Sequence, residues 1–144
     1  MSLFKKTEPR IYEAMSVAET QLEAFDLDPK LKELIKIRAS QMNGCGFCIN
    51  MHTKDARDLG ETEQRLYGLS AWWETPFFTE QEEIALKVTE EVTTISDGGI
   101  PDEVYEEAIA VLGEQQFAQV VFTAITINSW NRIAISSHLM PEKD

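Results

Sequence analysis

Residues 28–52, DPKLKELIKIRASQMNGCGFCINMH, read as two helices joined by a turn. Asp28 is an N-cap type residue, and Pro29 costs nothing in a first turn, where its missing N–H would have no helical partner. Leu31, Leu34, Ile35 and the run from Arg38 to Met42 carry a helical pattern to Asn43-Gly44, a turn dipeptide. A further helix then opens at the Cys45–Cys48 motif and runs to Leu59, with Gly60 suited to the left-handed residue that closes helices. Cys45 and Cys48 stand three residues apart and His52 follows four after the second, so all three side chains fall on one helical face. Cα atoms at that spacing lie within the roughly 4.4–6.8 Å that a disulfide tolerates, which makes a reversible dithiol/disulfide pair sterically available.

Working outward, Ile11, Met15, Ala18, Leu22 and Phe25 predict a first helix over about Pro9 to Phe25. On the other side, Thr62 caps a short helix through Leu69, followed by the aromatic stretch Trp72, Trp73, Phe77 and Phe78. Thr79 to Glu82 is a capping-box sequence with the apolar stripe Ile84, Val88, Val92 and Ile95 behind it, and Asp97-Gly98-Gly99 breaks that helix. Pro101 begins another to about Leu112, Gly113 ends it, and a long last helix covers about Glu114 to Ser137. In that last helix Phe117, Val121, Ala124 and Ile135 are expected to share a face with Asn128 and Asn131, whose amides need hydrogen-bond partners if buried. With no alternating strand pattern, repeat or linker, the expectation is all-α: six or seven helices in a single domain over residues 1–144.

The 144 residues carry 25 acids against 13 bases, a net charge of −12. Such a chain lacks the clustered positive field that nucleic acid or an anionic membrane surface requires, so neither is an expected partner. No stretch approaches 18 uninterrupted apolar residues, and the opening residues lack the apolar core of a signal peptide, which points to the cytoplasm. A reducing compartment disfavours a permanent structural disulfide, so two cysteines within one four-residue motif are better read as redox-active or metal-binding.

A thiolate is the reactive form of cysteine, and a helix N-terminus lowers a thiol pKa through unpaired N–H groups and the helix dipole. His52, one turn on, can take the Cys48 proton directly or through water. A base of this kind is commonly held in one tautomer by a third group; Glu33, among Leu31, Leu34 and Ile35 on the preceding helix, is the candidate. The plain alternative for Glu33 is a solvated glutamate paired with Lys36 or Lys30. For the cysteines the alternatives are small buried core residues, or zinc ligands together with His52, a set one ligand short of a closed site. The aromatic cluster reads as core or subunit interface before it reads as a lipid-like pocket, Asn131 as an interior hydrogen-bonding group, and Arg132 as a surface or interface ion pair.

Glu33, Cys45, Cys48 and His52 together resemble the signature of the carboxymuconolactone decarboxylase superfamily, in its alkylhydroperoxidase AhpD-like branch: a glutamate, CxxC twelve residues on, and a histidine after three more. Cys48 to Gly60, Leu69 to Trp73, Phe78 to Glu80, Ala85 to Thr93 and Asn131-Arg132 extend the likeness over most of the chain from Leu31. The resemblance implies a helical fold assembled as trimers or hexamers and a peroxidase cycle without cofactor or metal. Cys48 would attack the hydroperoxide and become a sulfenic acid, Cys45 would supply a proton and close the disulfide, and Glu33 and His52 would relay the Cys48 proton. The implied reductant is a dithiol such as a dihydrolipoyl group, and some relatives regenerate a peroxiredoxin. The decarboxylase branch lacks the CxxC pair. Peroxidase members carry a histidine directly before the second cysteine, where this chain has Phe47. Other readings are a general dithiol/disulfide oxidoreductase or redox-sensing partner, and a zinc-binding or structural helical module.

Overall fold

A computed structural model describes residues 2–144. Among these residues the chain is entirely helical: α1 (Leu3–Thr7), α2 (Arg10–Ala24), α3 (Pro29–Asn43), α4 (Gly46–Asp58), α5 (Glu63–Gly68), α6 (Glu80–Thr93) and α7 (Asp102–Ser136). Short 3₁₀ turns at Leu69–Glu74 and Ile95–Asp97 link the later helices. The helix starts follow local chemistry: the Asp28 carboxylate accepts from the Lys30 N–H at 2.7 Å, and Thr79 and Glu82 form the reciprocal capping box expected of them. Helix α1 escapes the sequence reading because five polar-rich residues carry too little periodicity; the Ser2 hydroxyl caps it by accepting from the Lys5 N–H.

Helix α3 is the axis of the bundle. One side packs Leu31 and Ile35 against Ile84, Ala85 and Val88 of α6 and Ala108, Val120 and Ala124 of α7. Its other side packs Leu34 and Ile37 against Ala56, Leu66, Leu69, Trp72, Phe78 and Leu86. A helix covered on all sides buries its polar residues as well, and Lys32, Glu33, Lys36 and Ser40 are all buried on α3. Trp72 and Phe78 join this core as expected, whereas Trp73 faces solvent.

Helix α7 is broken at Gly113, whose φ of 80° and ψ of 164° belong to a region essentially reserved for glycine, so the break expected there is present as a sharp kink between two helical segments. By length and composition α7 would suffice to cross a bilayer, yet here Val120, Ala124, Ile127 and Ala134 are buried in the bundle. Asn128 and Asn131 occupy that inner face as expected. Ile135 does not: about three full turns bring it back nearly in line with Ala124, but it stands in the last turn of α7, one residue before the helix ends, and is exposed.

Candidate functional site

The end of α3 and the start of α4 are locked together from the backbone outward. Gly44, at φ 73°, supplies the left-handed residue that closes α3, and the Cys45 N–H then donates to the Ser40 carbonyl at 3.0 Å. Asn43, read from the sequence only as part of a turn, donates through Nδ2 to Oδ1 of both Asn128 and Asn131 at 2.9 Å. Asn131 is fully buried and donates to the Ser40 hydroxyl at 2.9 Å, while Asn128 donates to Thr93 Oγ1 and to the Ala124 carbonyl. These amides clasp α3 to α7 directly behind the motif. The Arg132 guanidinium donates to the Asn128 carbonyl and side chain and, among the described residues, forms no ion pair within the chain.

Cys45 is the N-cap of α4, its Sγ accepting from the Cys48 N–H at 3.3 Å. The two cysteines are joined as a disulfide with Cα atoms 5.3 Å apart, the pairing that their spacing made available. Both are buried against Ala134 of α7, with Phe47 and Leu139 packed alongside. They are not equivalent. Cys48 forms part of the wall of a cavity of about 620 Å³ between α2, α3, α4 and α7, and Cys45 does not. Phe47, Met51, Trp130 and Ile133 give this cavity an apolar body.

On the same wall, His52 Nδ1 lies 3.0 Å from Glu33 Oε2. Glu33 is therefore not the solvated surface residue that spacing alone allowed; α3 buries it and points it at α4. Burial pushes the Glu33 carboxyl up, but the His52 hydrogen bond and the nearby Lys36 ammonium outweigh it and hold the group below the usual carboxylate range. An ionised carboxylate only accepts, so the His52 proton sits on Nδ1 and leaves Nε2 as the basic nitrogen. Nε2 belongs to a ring one helical turn from Cys48 and on the same cavity.

Lys36, which the sequence offered as a partner of Glu33, stands beside it, whereas Glu19, Asp55 and Trp130 went unseen in the sequence. Lys36 Nζ stands 3.5 Å from Glu33 Oε1 and 3.8 Å from Glu19 Oε2, and Trp130 Nε1 donates to Glu19 Oε1 at 2.9 Å. Asp55 Oδ2 lies 3.6 Å from His52 Nδ1. The i,i+3 spacing of Glu33 and Lys36 was a signal for one of these contacts; Glu19 and Trp130 come from helices whose packing no local pattern encodes. Among the described residues, the acid and imidazole groups that converge within 4.8 Å are Glu33, His52 and Asp55. With their sulfurs bonded to each other, Cys45 and Cys48 are not thiolate ligands in this state, so the alternative Cys-Cys-His set is not assembled.

Comparison with known proteins bears on the family and the fold. Residues 9–91 match the profile of the carboxymuconolactone decarboxylase family. The chain is 51% identical over 105 residues to the uncharacterized protein YdfG of Bacillus subtilis, covering 73% of this chain and 71% of that one. Its fold superposes with a TM-score of 0.94 on ATU0492 of Agrobacterium tumefaciens, a protein of unknown function suggested to be the antioxidant defence protein AhpD; identity is 33%, over 99% of this chain and 100% of that one. The debrominase Bmp8, solved with 2,3,4-tribromopyrrole, shares the fold with a TM-score of 0.85 at 17% identity, over 95% of this chain and 73% of that one. A profile match over more than half of the sequence, joined to a CxxC pair closed across the first turn of α4, places this chain in the carboxymuconolactone decarboxylase family, among its AhpD-like members.

Proposed function

We propose that this protein is a thiol-dependent peroxidase that reduces organic hydroperoxides through a Cys45–Cys48 dithiol/disulfide cycle. The observation that carries the reading is that Cys48, alone of the two cysteines, opens onto an apolar cavity whose wall also presents the Glu33-oriented His52. In the reduced protein, His52 Nε2 accepts the Cys48 proton and Glu33 holds the resulting imidazolium. The thiolate attacks the outer oxygen of the hydroperoxide: an S–O bond forms, the O–O bond breaks, and the alkoxide takes the Cys45 proton and leaves as alcohol. Cys45, now a thiolate, then attacks the Cys48 sulfenic acid, forming the disulfide, and the displaced hydroxide takes the His52 proton and leaves as water. A dithiol donor returns both cysteines to thiols and leaves oxidised.

Peroxide consumption with a dithiol donor tests this. Wild type should turn over and Cys48→Ser should fall to the uncatalysed rate; equal rates for the two would overturn the peroxidase reading. Phe47 supports a second reading, because an aromatic ring beside Cys48 supplies no proton. Under that reading the protein is a dithiol/disulfide oxidoreductase or redox-sensing partner, and the disulfide cycles with protein or small-molecule disulfides while peroxide turnover stays slow. The family likeness supports a dihydrolipoyl group or a peroxiredoxin as redox partner, a trimeric or hexameric assembly, and a cytoplasmic setting.

A further inference from the structure

We infer that the Cys48 cavity admits uncharged partners and turns away anionic ones, so that its substrate and its reductant are both neutral, apolar-bodied molecules; this rests on the dithiol cycle proposed above. Six charged side chains line the cavity: Glu19, Glu23, Lys32, Glu33, Lys36 and Asp55. Neither cation is free. The Lys32 ammonium donates to the carbonyls of Leu22 and Phe25 at 2.8 and 2.9 Å, closing the C-terminal end of α2. The Lys36 ammonium stands between Glu33 and Glu19. Glu23 and Asp55 are exposed at the opening; Glu23 has no ion pair among the described residues, and Asp55 only approaches the His52 imidazole. Four carboxylates against two engaged ammonium groups leave the site negative, and a ligand carboxylate inside it would meet repulsion with no free cation to receive it.

The redox step that reports this is reduction of the disulfide. A donor thiol enters neutral, gives its proton to His52 Nε2 and attacks the Cys48 sulfur, which is the one on the cavity; a donor–Cys48 bond forms, and Cys45 leaves as thiolate and takes up that proton. The second donor thiol then displaces Cys48, leaving a cyclic donor disulfide and two protein thiols. Dihydrolipoamide and dihydrolipoate make a matched pair for this step, since they share ring, chain and thiols and differ in one distant charge. Each rate is divided by that donor's rate on the neutral hydroxyethyl disulfide.

At low salt dihydrolipoamide should reduce the oxidised protein about tenfold faster than dihydrolipoate, and the ratio should shrink toward about twofold at 1 M salt, where the screening length is about 3 Å. Glu23→Gln should lower the ratio of the dihydrolipoamide rate to the dihydrolipoate rate by about two- to threefold and Glu23→Lys by more. Glu23 is exposed and outside the proton relay, and the far-ultraviolet helical signal checks that both variants fold. Equal normalised rates for the two donors in wild type, or a ratio that Glu23→Lys does not move, would overturn the inference. The test uses no peroxide. A correct ratio in a protein that consumes no hydroperoxide would sink the peroxidase reading alone, and peroxide turnover with a ratio of one would sink the charge filter alone.

Discussion

At the scale of single residues, the hydrogen bond between Glu33 and His52 makes the strongest chemical demand, because it decides which imidazole nitrogen is basic. With Cys45→Ser in the background so that one thiol reports, His52→Ala should move the pH profile of Cys48 alkylation up toward the unperturbed thiol value of about 8.5. The accompanying rate loss near neutral pH should be on the order of 10²–10⁴. Glu33→Gln should act in the same direction and less strongly. Superimposable profiles would mean that the pair only braces α3 against α4. Glu33 also carries a pH-dependent share of stability. Its folded pKa lies below the ordinary carboxylate value of about 4.3, so the unfolded chain binds its proton more readily. That contribution is complete above about pH 4.3 and disappears as pH falls through the folded value. Between neutral pH and pH 3, wild type should therefore lose more stability than Glu33→Gln in denaturant titrations.

At the scale of elements, α3 and α7 are joined behind the motif by amides rather than by apolar packing alone. Asn131→Ala leaves buried Ser40 and half-buried Asn43 short of a partner, and each unmade bond costs about 1–3 kcal/mol where water does not replace it. A loss of about 2–4 kcal/mol should appear as a lower urea midpoint with an unchanged slope. Because Asn43 directly precedes the left-handed Gly44, the same variant should also slow closure of the Cys45–Cys48 disulfide. Gly113 sets the bend of α7. A Cβ built there meets nothing within 4 Å, so Gly113→Ala isolates the backbone cost of its conformation and should destabilise by about 1–3 kcal/mol in the same titration. A neutral result would show that the kink relaxes to a straight helix without penalty.

At the scale of the whole molecule, the outer face of α7 leaves Phe122 and Ile125 exposed one turn apart, and Val17 is exposed on α2. Large apolar side chains close together on an outer helix face suit burial between subunits better than contact with water. Light scattering at micromolar concentration is expected to return a multiple of the 16.4 kDa chain mass; a value near one chain would remove the oligomer. Phe122→Glu and Ile125→Glu should shift the mass downward if this face takes part, while the far-ultraviolet helical signal stays intact.

Much of this protein was legible in its sequence because local chemistry decides local structure. Asp28-Pro29, Asn43-Gly44, Thr79 with Glu82, and Gly113 each act on backbone groups within a turn of themselves, and each marks a helix boundary close to the observed one. The spacing of Cys48 and His52 likewise placed two reactive side chains on one helix face, where they stand, with Cys45 at the N-cap before them. The burial of α3 on every side was not legible, since it depends on α6 and α7 covering its second and third faces, and that burial turns Glu33 from a surface acid into the partner of His52. The difference between Cys45 and Cys48 was equally hidden. One faces a cavity and the other does not because α2 and α7 wall that space from far along the chain, and contacts between residues about a hundred positions apart, such as Trp130 with Glu19, are set by packing that no neighbouring residue encodes.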